Sequence, residues 1–160
     1  MVRFLVLVVF VACGAPQTGS SSGDCFAIVP MTLVALEHGR EWEPIAELRA
    51  DGTIVRERNV IATLSADRLV KKTGETILTC GAGRRITIDG RSLAHFDGNE
   101  RMIDADGSPL FVDPDGAVHW IRKDGDLFDG ARFEGGFARA RRSAAAVVLA
   151  TLATANWTAH

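Results

Sequence analysis

From Glu43 to Gly90 the chain reads EPIAELRADGTIVRERNVIATLSADRLVKKTGETILTCGAGRRITIDG, in which short runs of Val, Ile, Leu and Thr are separated by Asp-Gly, Ser-Ala-Asp, Thr-Gly and Gly-Ala-Gly. β-Branched runs favour extended backbone, and the punctuating residues favour reversals, so the pattern predicts a series of β-hairpins. Asp51 to Thr53 and Gly81-Ala82-Gly83 are predicted turns. Upstream, CFAIVPMTLVALEHG (Cys25 to Gly39) is apolar and interrupted at Pro30, which predicts a short buried strand on each side of the proline.

Residues 103 to 126, IDADGSPLFVDPDGAVHWIRKDGD, place an Asp-Gly pair every nine residues, at Asp106-Gly107, Asp115-Gly116 and Asp124-Gly125. Two-residue loops would leave an odd number of residues in each strand, which turns the first and last backbone groups toward the same neighbour. Three-residue loops resolve this. Ala105-Asp106-Gly107, Pro114-Asp115-Gly116 and Lys123-Asp124-Gly125 are then type I turns closed by a left-handed glycine at a bulge. Pairing Asp104 with Ser108 and Asp113 with Ala117 puts Met102, Leu110, Val112, Val118, Trp120 and Phe128 on one face, the predicted core face. The other receives Arg101, Ile103, Pro109, Phe111, His119 and Ile121. Pro109 has no N–H to offer Ile121, so that end of the pairing should be frayed, bulged or edge-like.

Beyond Gly135-Gly136 the pattern changes. FARARRSAAAVVLATLATAN is rich in alanine and free of proline, predicting a helix from about 137 to 156, with Ala145, Val148, Leu149 and Leu152 as a stripe packed on a sheet face. Its apolar stretch is too short for a membrane span. The expected fold is mainly β: an antiparallel meander of short hairpin-linked strands with one C-terminal α-helix, forming one domain over residues 25–160.

The N-terminus, MVRFLVLVVFVACGAP, joins a positive residue, Arg3, to an unbroken apolar run from Phe4 to Ala12, as an export signal does. Residues 1–12 are therefore read as a signal peptide. Phe10-Val11-Ala12-Cys13 resembles the lipobox of bacterial acylated lipoproteins, with phenylalanine where leucine is usual. The resemblance implies that Cys13 carries fatty acyl chains, palmitate among them, and becomes the mature N-terminus. Ordinary cleavage near Gly14 or Ala15, giving a secreted soluble protein, is the alternative. Residues 13–24 are small and polar, the composition of a flexible tether, with a reach of about 18 Å over ~11 residues.

Composition narrows the chemistry. The net charge of −2 provides no basic face for nucleic acid. The chain has three cysteines, an awkward number for an exported protein. Assigning Cys13 to lipid leaves Cys25 and Cys80, which can form a disulfide in an oxidising compartment.

No C-x-x-C or H-x-x-x-H spacing exists for a metal, and His38, His95, His119 and His160 are far apart in sequence. Nor do the Asp-Gly loops suit calcium. Successive loops of a meander lie at opposite ends of the sheet, about 20 Å apart at ~3.4 Å per residue, and neither Gly107 nor Gly116 aligns as the glycine of an EF-hand. Gly81-Ala82-Gly83 lacks the Lys-Ser/Thr of a phosphate loop.

No catalytic set, cofactor site or metal site is therefore assigned. A hydrolase using His95 or His119 would need a nearby Ser and a carboxylate, and a small-ligand binder would use the face around Phe111 and His119. The reading that remains is a non-catalytic, membrane-anchored envelope lipoprotein with a structural or protein-partner role. The strand series ending in Arg132-Phe133-Glu134-Gly135, followed by an arginine cluster and an apolar helix, is similar to uncharacterised lipoproteins of myxobacteria across about residues 85 to 150. That similarity implies no activity.

Overall fold

The structure, a computed structural model, describes residues 24–37, 41–88, 91–126, 128 and 130–154. The expected signal peptide, Cys13 and nearly all of the tether lie outside these residues. Among the described residues there are thirteen strands in a single antiparallel sheet, followed by one α-helix. The strands are β1 (Met31–Glu37), β2 (Glu41–Leu48), β3 (Thr53–Arg56), β4 (Asn59–Leu64), β5 (Arg68–Lys71) and β6 (Thr76–Cys80). They continue with β7 (Arg85–Ile88), β8 (Arg91–Phe96), β9 (Met102–Asp104), β10 (Pro109–Val112), β11 (Val118–Arg122), β12 (Gly125–Asp126) and β13 (Ala131–Gly135). The helix α1 spans Arg141–Thr154. Each strand from β1 to β11 pairs with the next, and β13 returns to the far side of β1.

One loop design recurs. At Arg49, Lys71, Gly81, Asp97, Asp104 and Asp113, the N–H of the first residue donates to the carbonyl four residues on, while the N–H three residues on donates back to the first carbonyl. The residue at the third loop position must enter the left-handed region, and Gly52, Gly74, Gly107 and Gly116 do so without steric penalty. Arg84 and Glu100 occupy that position in the other two loops, with φ of 60° and 63°. The expected loops at 105–107 and 114–116 are thus found, with Asp104 bonded to Ser108 and Asp113 to Ala117. The third is corrected: Arg122 pairs with Gly125, so Lys123 and Asp124 alone make the loop.

The expected core face is also found. Met102 and Trp120 flank Leu110 in register, and Met102, Leu110, Val112 and Val118 are buried. Trp120 and Phe128 are only partly buried, stacked on each other at 6.4 Å against the core. Pairing between β10 and β11 runs from Leu110 to Val112 and omits Pro109, as its missing N–H requires.

Two other expectations are corrected. Cys25 to Pro30 form no strand and β1 begins at Met31. The helix starts at Arg141, because the Gly135-Gly136 step leads into a 3-10 turn, Gly136–Arg139, and Ala140 has non-helical backbone angles. The proposed helix end at Ala155 and Asn156 lies outside the described residues.

The sheet curls around α1. Ser143 to Val148 and Ala150 are buried, so more than one stripe of the helix is covered, and α1 contacts β1 to β5 and also β10. A helix apolar on nearly every side belongs inside a protein, and the alanines keep it thin enough for strands to approach all round. Thr151 and Thr154 turn their hydroxyls back onto the carbonyls of Val147 and Ala150, at 2.8 and 2.7 Å, which satisfies them without solvent. No helix among the described residues is long and apolar enough to cross a membrane.

Candidate functional site

Residues 24–30 lie across the end of the sheet where α1 enters. The N–H groups of Cys25 and Phe26 donate to the Ala66 carbonyl, the Phe26 ring meets Phe96 edge-on at 6.0 Å, and the Ser143 hydroxyl donates to the Ala27 carbonyl at 2.6 Å. A disulfide joins Cys25 to Cys80, with Cα atoms 6.1 Å apart. The bond ties this crossing segment to the end of β6. It closes a loop with a sequence separation of 55, for which chain entropy suggests a stabilisation of about 4 kcal/mol.

The acidic loops use their carboxylates internally. In each of three loops, one carboxylate oxygen accepts from the N–H groups two and four residues on: Asp97 from Asn99 and Arg101, Asp104 from Asp106 and Ser108, and Asp113 from Asp115 and Ala117, all at 2.8–3.0 Å. These are Asx-type closures, the reason Asp favours the first position of such loops. Asp97 also pairs with the Arg101 guanidinium at 2.7 Å. Burial pushes the Asp97 carboxyl up, but the hydrogen bonds and charge of Arg101 outweigh this and hold it below its ordinary range. The aspartates of Asp106-Gly107 and Asp115-Gly116 are the exposed turn residues, and the structural carboxylates stand two positions earlier.

His119 sits on the outer side of β11, between the inward-facing Val118 and Trp120. Its Nδ1 lies 2.6 Å from Asp126 Oδ2 and its Nε2 3.4 Å from Asp113 Oδ2, and its ring stacks on Phe111 at 5.0 Å. The other oxygen of Asp126 accepts the N–H groups of Trp120 and Phe128, at 3.0 and 3.1 Å. Burial works against a charged His119 ring, but the hydrogen bonds and charges of Asp126 and Asp113 prevail and raise its pKa above the ordinary 6.5. Asp126 is likewise pushed up by burial, but its bonds from Phe128, His119 and Trp120 set it below 3.8. Phe111 and His119 therefore cover each other.

His95 stands exposed on β8, paired in register with Arg85 and Ile103, and β9 and β10 separate it from His119. The two histidines suggested by the sequence are not brought together. Every hydrogen bond of the His119 ring among the described residues goes to a carboxylate. Among the described residues the ring makes no hydrogen bond to a hydroxyl or thiol.

Asp126 and Asp113 were missed as partners of His119 in the sequence reading. Asp113 carries a usable signal, an Asp three residues before a loop glycine; Asp126 carries none, since its role depends on a break in the ladder. Elsewhere, a cleft of about 280 Å³ opens where β2 runs past the end of β3, lined by Pro44, Ile45, Ala46, Glu47, Arg49, Val55, Glu57 and Arg58. Trp42, 40 % exposed on β2, lies under the Arg132 guanidinium at 4.1 Å. Among the described residues no group of His, Cys, Asp and Glu side chains is arranged to hold a metal ion. The chain matches no family model, no curated protein and no solved structure.

Proposed function

We propose that the protein is an exported lipoprotein of the bacterial envelope, anchored through acyl chains on Cys13, whose β-rich domain does non-catalytic structural or partner-binding work. The observation that carries this reading is the partition of the cysteines. Cys25 and Cys80 are joined to each other, which supports an oxidising compartment and leaves Cys13 at the end of the Phe4–Ala12 apolar run without a thiol partner in the chain. A non-catalytic role is supported by His119, whose ring nitrogens both face carboxylates.

The physical requirement for anchoring is chain number: one acyl chain holds a protein at a bilayer only marginally, whereas two or three, at about 0.8 kcal/mol per buried CH₂, hold it stably. The domain would hang from residues 13–24, with its disulfide-tied end nearest the attachment. Mass spectrometry of the mature N-terminus tests the proposal. A diacylated or triacylated peptide beginning at Cys13 is expected, and Cys13→Ser should leave an uncleaved precursor or a soluble product. An unmodified peptide beginning after Cys13 overturns the anchor and favours the secreted alternative.

A further inference from the structure

Along β11 the neighbouring strand changes. Arg122 and Ile121 face Gly125 and Asp126 of β12, while Ala117 faces Arg132 of β13, whose next residue, Phe133, donates its N–H to the Gly116 carbonyl at 2.7 Å. Since β13 also pairs with β1, this is where the sheet closes on itself. From Asp126 to Arg132 the returning chain has two residues more than β11 has from Ile121 to Ala117, so the ladder opens between them. Asp126 fills the opening with its side chain: one oxygen takes the N–H of Trp120 on β11 and that of Phe128 on the returning chain. A single carboxylate thus joins the two sides of the seam, and His119 holds that carboxylate by its other oxygen.

We propose that His119 is a proton-operated latch on this seam: as an imidazolium it bridges Asp126 in the opening to Asp113 in the β10–β11 loop, and on losing its proton it loosens the closure. Geometry favours the charged ring. A carboxylate stands at each ring nitrogen, and a neutral imidazole has one N–H, so deprotonation sets a ring lone pair against one of the two acids. Asp126 on β12 and Asp113 in the loop are the charged groups that meet the ring from the elements around it. The β10 side presents Phe111, and β13 brings Arg132 to Ala117, two residues along β11, with its guanidinium over Trp42.

The direction follows. Because the folded pKa of His119 lies above 6.5, its contribution is complete below 6.5 and is lost as pH rises through the folded value. Asp126 runs oppositely: its folded pKa lies below 3.8, so its contribution is present above 3.8 and lost as pH falls through the folded value. The seam is tightest between these limits and loosens on the alkaline side by release of His119 alone. This inference does not depend on the lipid anchor.

The test uses the full chain. The His119 ring is titrated by NMR, while exchange of the Trp120 and Phe128 amides, corrected for intrinsic chemistry, is followed over the same pH range. In the wild type, a several-fold rise in corrected exchange at both amides should coincide with the His119 titration. In His119→Gln, which carries no titrating group, exchange at these amides should not change with pH in that range. Corrected exchange that is flat through the His119 titration, or that rises equally in His119→Gln, overturns the latch and leaves His119 a static surface residue. Should His119→Gln fail to fold, coincidence of the two wild-type curves still decides, and a mismatch between them rejects the proposal.

Discussion

The loops Asp104–Ser108 and Asp113–Ala117 are nearly the same object in two settings. Both are Asp-x-Asp-Gly sequences, both close with the same pair of backbone bonds, and in both the first aspartate accepts two N–H groups. Gly107 has φ of 79° and open space where a Cβ would stand. Gly116 has φ of 92°, and a Cβ there would meet the Phe133 carbonyl oxygen at 2.5 Å and the Phe137 ring at 3.0 Å. The first glycine is needed for its own turn. The second is needed for the turn and for letting the returning strand come close enough to shut the sheet. Identical local chemistry can thus serve a local or a global purpose, and only the third dimension tells which.

The sharpest way to break this comparison is alanine at each glycine. Gly116→Ala adds a backbone collision to the left-handed penalty and should lower unfolding stability by about 3 kcal/mol in urea titration. If it falls no further than the variant at 107, the close approach is not holding the seam. Next comes Asp113→Ala, which removes the acceptor of two backbone N–H groups and a partner of His119. A loss of about 2 kcal/mol is expected, with the His119 titration moving back toward 6.5. Asp104→Ala should cost a similar amount and leave His119 where it was, which NMR titration of the ring would show.

Gly107→Ala, with nothing nearby to strike, should cost about 1–2 kcal/mol, the left-handed penalty alone. Smallest is Asp115→Asn at an exposed turn position. It should leave the melting temperature unchanged, with or without added calcium, and a calcium-dependent rise abolished by the substitution would show that the loop binds an ion after all.

Much of the strand arrangement was legible because side chains in a sheet alternate with period two, so one correct loop length fixes a whole face. Leu110 opposite Trp120 follows from where Gly107 and Gly116 fall. The rule behind that success has limits. At Asp97-Gly98-Asn99-Glu100 it is Glu100, not the glycine, that adopts the left-handed conformation, so an Asp-Gly pair does not by itself locate the bulge. The β11–β12 loop came out one residue shorter than its two predecessors, and the last pairing moved with it. The helix was legible from its alanines, but its surroundings were not: a run of Ala and Val has no polar face to reveal how many sides are covered, and a single stripe was the natural expectation. The Asp126–His119–Asp113 cluster was hidden for a different reason. It is set by where the sheet closes, and closure depends on residues distant along the chain.

Among the described residues, the helix that fills the ring comes after every strand in chain order. As the polypeptide emerges from the ribosome, the hairpins from β1 to β12 can form neighbours but have nothing to pack around, and β13 and α1 arrive last. Contacts between α1 and β1 to β5 join distant parts of the chain, the kind of topology that folds slowly because loop closure must precede its reward. The nascent chain should therefore remain open until β13 and α1 have both been made, and a variant cut short before α1 should leave the strands without the surface they close on.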